Sequence, residues 1–141
     1  MPNRAPSSAA TLAIALTTTS LSGIASAGAF DGTTNLVCSA IDVVGCTDGP
    51  YCLEGQARAF ELPQFMVIDF ENNMIRATAE SGYQETSPIR NADQTEKQMI
   101  LQGVENHRGW TAAVDRHSGD LVVTSAGPGV SFIIYGACTT L

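Results

Sequence analysis

From Leu36 onward, apolar residues come in short runs broken by Gly, Asn, Pro and Asp, the pattern of an all-β chain. Eight strands are predicted, over 36–45, 65–70, 74–78, 85–90, 98–105, 110–115, 120–125 and 130–138. Three of them carry period-two stripes. Trp110, Ala112 and Val114 share one face, as do Leu121 and Val123, and as do Phe132, Ile134, Gly136 and Cys138. The first strand breaks its own alternation, because Asp42 has the parity of Leu36, Cys38 and Ala40. A bulge or a strand end near Ile41 would account for this.

Between the strands, Asn72-Asn73 suits a tight hairpin turn, since Asn tolerates positive φ. Residues 53–62 have room for a short helical turn stopped by Pro63. Pro88 marks the fourth strand as an edge or a bulge. The polar residues 91–98 read as a solvated loop, with at most one helical turn capped by Asn91. The last four strands follow one another through 106–109, 116–119 and Gly127-Pro128-Gly129, as a meander. Eight short strands favour a small antiparallel barrel or sandwich, and pairing the first strand with the last would remove its exposed edges. No repeat or linker divides the chain after the leader.

The leader itself is read over residues 1–27. Arg4 gives a positive start, Ala9 to Leu16 an apolar core, and Ala25-Ser26-Ala27 an A-x-A cleavage site. The competing readings are an unstructured tail or an amphipathic targeting helix. Cleavage after Ala27 leaves one β domain, 28–141, with no membrane span in the mature form, and predicts a periplasmic or secreted protein.

All four cysteines, Cys38, Cys46, Cys52 and Cys138, fall in that domain. An even count in a small exported domain favours disulfides. Of the three possible pairings, Cys46–Cys52 with Cys38–Cys138 is favoured. The first closes a local turn-rich loop, and the second joins the first strand to the last. A zinc site is the rival reading, but it lacks both C-x-x-C spacing and a nearby His pair.

Charge narrows the partners. Seven basic residues against fourteen acidic ones give −7, and removing Arg4 with the leader deepens the imbalance. A chain so acidic cannot build the basic face that nucleic acid requires, and a basic protein is the partner it suits.

Chemistry is harder to find. His107 and His117 lie at turns at opposite ends of one strand, roughly 20 Å apart at ~3.3 Å per residue, too far to share an ion. Asp115 and Asp120 flank a turn but lack a calcium loop's ligand series. Ser118 beside His117 has no nucleophile elbow. Asp69, Glu71, Glu105 and Asp115 are scattered carboxylates at strand ends, and Gly127-Pro128-Gly129 reads as a turn, not a phosphate loop. No catalytic residue, cofactor site or metal site is assigned. Trp110 reads as core or barrel-end plug, with sugar stacking or an interface hot spot as the functional alternative. Phe65 and Tyr83, near the Pro63 loop and the Gly82 turn, are candidate surface contacts.

The stretch from Ile100 to Trp110 resembles a family of small exported proteobacterial proteins of unknown function. Asp115-Arg-His-Ser-Gly119, Ser131 to Thr139, Cys38-Ser39-Ala40 and Leu62-Pro63 resemble it too. The resemblance covers nearly the whole mature chain and implies export and a single β domain, but no biochemical role. The favoured expectation is a non-enzymatic binding module acting through its acidic surface, inhibitor-like toward a basic protein. A small-ligand carrier of lipocalin type and a periplasmic hydrolase are the alternatives. A carrier would need a cavity, which large inward residues such as Trp110 and Phe132 are expected to fill.

Overall fold

Strands with one apolar face must cover that face, and this sheet does so by closing on itself. The computed structural model describes residues 30–141, so the leader read over residues 1–27 lies outside the described residues. Nine strands follow in order: β1 (Leu36–Thr47), β2 (Tyr51–Gly55), β3 (Phe65–Asp69), β4 (Met74–Ala77), β5 (Thr86–Gln94), β6 (Gln98–Glu105), β7 (Arg108–Asp115), β8 (Asp120–Gly127) and β9 (Val130–Thr140). Two 3-10 turns, Ala57–Phe60 and Ala79–Ser81, lie before β3 and before β5. Every pairing is antiparallel, and β1 bonds both β3 and β9. The result is an eight-stranded closed barrel with β2 as an extra strand on β1.

Both disulfides join residues that face each other in register. Cys38 lies opposite Cys138 on β1 and β9, and Cys46 opposite Cys52 on β1 and β2. The irregularity expected near Ile41 is a bulge: the β1–β9 register slips between Ala40 and Asp42. Ile41 is thrown outward, 53% exposed. Gly136 opposite Ala40 matters here, because a Cβ on it would strike the Ser39 carbonyl.

Three expectations need correcting. Residues 51–55 form a strand, so the sheet has nine strands and the helical turn is confined to Ala57–Phe60. Asp48 and Gly49, both at positive φ, turn the chain back at the tip of β1, and the following residues hydrogen-bond along it. Residues 91–94, read as loop, continue β5 and pair with Gln102, Leu101, Ile100 and Met99. Their backbone groups find partners on β6 whatever the polarity of the side chains. The seventh strand begins at Arg108, because the turn before it needs only Asn106 and His107 (φ 48° and 63°). Two consecutive left-handed residues make the tight turn whose twist matches a hairpin.

The barrel has two unlike poles. At one, the β3–β4, β5–β6 and β7–β8 turns gather, and the core is packed shut by Leu36, Ile68, Met99, Leu101, Val114 and Leu121. Phe30 closes that pole over Gly119, which has no room for a side chain. The other pole receives the starts of β3, β5, β7 and β9 and the ends of β4, β6 and β8. There the β1–β2 hairpin stands beside the barrel, and Phe60 lies across Gly45 and Gly55. Phe60 meets Phe132 edge to face, centroids 6.1 Å apart.

Candidate functional site

Inward positions alternate along each strand, so the open pole is lined by whatever residue types sit at those positions near the strand ends. Many are small: Ala77 on β4, Ser87 on β5, Ala112 on β7 and Ser125 on β8. Small residues leave space. A cavity of about 130 Å³ occupies this end of the barrel, walled by Met66, Ile68, Ile75, Trp110, Val123 and Ile134 among others. Trp110 and Phe132 line this space and do not fill it.

Trp110 is held in the wall by two features. It lies opposite Gly103, where a Cβ would run into its ring, so the indole spreads across β6. Its Nε1 then donates to the Ser87 hydroxyl, 2.7 Å away on β5. Both residues are buried, at 8% and 5% exposure, and the bond satisfies an indole N–H that water cannot reach. Ser87 accepts in this bond, and its own proton has no acceptor among the described hydrogen bonds.

Polar groups sit at the mouth. Glu105 and Arg108 face each other in register across the β6–β7 turn, and Glu85 approaches from the residue before β5. The Arg108 guanidinium lies over the Phe132 ring, 5.6 Å from its centroid. Among the described residues neither glutamate has an ion pair within 4.0 Å. Burial raises the Glu105 carboxyl above the ordinary glutamate value, the Glu85 charge raises it further, and Arg108 opposes both.

The other singled-out residues lie elsewhere. Phe65 opens β3 and is 44% exposed, and Tyr83, half-buried, follows the Ala79–Ser81 turn. Neither lines the cavity. His107 and His117 fall in turns at opposite poles. Asp115 is committed to its own turn, accepting from the Ser118 and His117 amides at 2.9 and 2.8 Å. Those bonds lower its pKa. The Ser118 hydroxyl donates to Asp120 and not to an imidazole. Asp69 likewise accepts from Asn72 at the β3–β4 turn.

The sequence singled out Trp110 and Glu105 but passed over Glu85, Ser87 and Arg108. The missed signal was the run of small inward residues at the ends of neighbouring strands. The chain matches no family model, no curated protein and no solved structure.

Proposed function

We propose that this chain is an exported, non-enzymatic binding protein that takes a small, largely apolar molecule into the open pole of its barrel. One observation carries the reading: an apolar cavity with a fixed tryptophan wall and a few convergent polar groups, opening at one end of a disulfide-stapled barrel. Such a combination is the ordinary form of a small-molecule site. The size suits one ring or a short alkyl chain, since an engineered apolar cavity of ~150 Å³ accommodates benzene. Export rests on the leader over residues 1–27 and on four cysteines paired as disulfides, which persist in oxidising compartments.

Filling the cavity provides the test. Toluene should raise the melting temperature of the wild-type chain and leave that of Ala112→Leu, whose added methyl groups occupy the space, unchanged. Equal shifts in both proteins, or none in either, would refute the reading.

A second reading keeps the acidic exterior as a docking surface for a basic protein. It is favoured by the β1–β2 hairpin, where Tyr51 and Leu53 are each 74% exposed beside Asp48 and Glu54. An exposed aromatic and aliphatic pair on one face of a strand suits the apolar centre of a protein interface. Binding of a cationic protein that weakens steeply with salt, and is lost in Tyr51→Ala, would support it.

A further inference from the structure

The charge arrangement at the mouth says more about the ligand than the cavity alone does. Among the described residues, three ionisable side chains line this opening: Glu85, Glu105 and Arg108. Arg108 is drawn aside onto the face of Phe132, where its charge meets the ring's negative face. The two carboxylates line the same opening, and although Arg108 lies opposite Glu105 in register, neither glutamate has an ion pair within 4.0 Å among the described residues. Below them the walls are mostly apolar: of the two serines in the lining, Ser87 is buried and bonded to the indole, and Ser125 is the other.

We infer that the open pole binds a small primary amine, its apolar body against Trp110 in the cavity and its ammonium between Glu85 and Glu105 at the mouth. This rests on the cavity being a binding site, and adds the chemical class of its occupant. An ammonium supplies three donors and one positive charge. It relieves the repulsion between the glutamates and compensates the partial desolvation of Glu105. A carboxylate ligand would meet two like charges against one guanidinium already engaged with a ring. A neutral ligand would leave the glutamates as they are. The cavity limits the body to one ring or about four to six carbons.

Benzylamine, benzyl alcohol and benzoate share the ring and differ in charge, so titrating each into the full chain at neutral pH separates the possibilities. Benzylamine is expected to bind roughly tenfold tighter than benzyl alcohol, the equivalent of about 1.4 kcal/mol and close to the lower end of what a hydrogen bond to a charged group contributes. Benzoate should bind weakest. Glu85→Gln with Glu105→Gln should abolish the preference for benzylamine while benzyl alcohol affinity stays within about twofold, which also shows that the cavity has survived. Arg108→Gln should strengthen benzylamine binding. Equal affinity for all three compounds would overturn the inference but leave an apolar site intact. Tightest binding of benzoate would overturn it in favour of Arg108 as the anchor. No binding of any of them would overturn both the inference and the reading beneath it.

Discussion

The Trp110 indole and the Ser87 hydroxyl meet at 2.7 Å from strands that are not neighbours: β6 lies between them, and the ring crosses it at Gly103. A tryptophan fixed at both its ring and its N–H holds the cavity wall open. Ser87→Ala removes the acceptor and leaves a buried N–H unpaired. The expected cost is about 1–3 kcal/mol in urea unfolding, with the tryptophan emission changed in the folded state.

Gly103→Ala tests the other half of the arrangement. The new methyl group would need the space of the indole ring and lies close to the Pro88 carbonyl. The ring must move into the cavity. Stability should fall by about 1–3 kcal/mol, the usual range for overpacking, and toluene should no longer raise the melting temperature.

The two disulfides should contribute unequally. Cys38–Cys138 spans 100 positions and Cys46–Cys52 only 6. In the chain-entropy model this corresponds to about 4.7 against about 2 kcal/mol. Replacing Cys38 and Cys138 by Ala should therefore lower the unfolding free energy more than replacing Cys46 and Cys52. Replacement of Cys38 and Cys138 also removes two buried sulfurs, which adds to the difference. Paired denaturation curves check the order.

Acid should destabilise the fold through its turn aspartates. Hydrogen bonds from the Ser118 and His117 amides lower Asp115, those from Asn72 lower Asp69, and those from Thr33 lower Asp31. A depressed pKa contributes stability that is full above the ordinary aspartate value of 3.8 and lost as the pH falls through the lower folded value. Glu105 works the other way. Its raised pKa makes the charged form a cost to folding at neutral pH, relieved as the pH falls toward the ordinary 4.5. Glu105→Gln should accordingly melt higher than the wild type at pH 7, with the advantage gone near pH 4. Asp115→Asn should lower the melting temperature at pH 7 and matter little at pH 3. Melting curves across this range check both directions.

Much of the barrel was legible because burial follows parity. The stripes at Trp110, Ala112 and Val114 and at Phe132, Ile134 and Cys138 point inward as their spacing requires. Misplaced parity at Asp42 located the bulge, and cysteine spacing identified both disulfides. What stayed hidden depends on contacts rather than on side-chain type. β2 reads as a loop because Tyr51 and Leu53 are exposed apolar residues on a strand only five residues long. The end of β5 reads as solvent because Asn91, Asp93 and Gln94 are polar, although their backbone pairs with β6. The cavity was concealed for a different reason. Alternation tells which residues face inward, but the space among them depends on how Trp110 lies, and that is set by Gly103 and Ser87 on other strands.

Trp110 is the single tryptophan in the chain, so its indole N–H is one resolved signal from the cavity wall. Titrating toluene into ¹⁵N-labelled protein and following that signal is the most direct measurement of whether the open pole takes an apolar guest. A saturable shift of the Trp110 indole resonance, absent in Ala112→Leu, is the predicted result. A signal that stays unmoved up to the solubility limit of toluene would contradict the account.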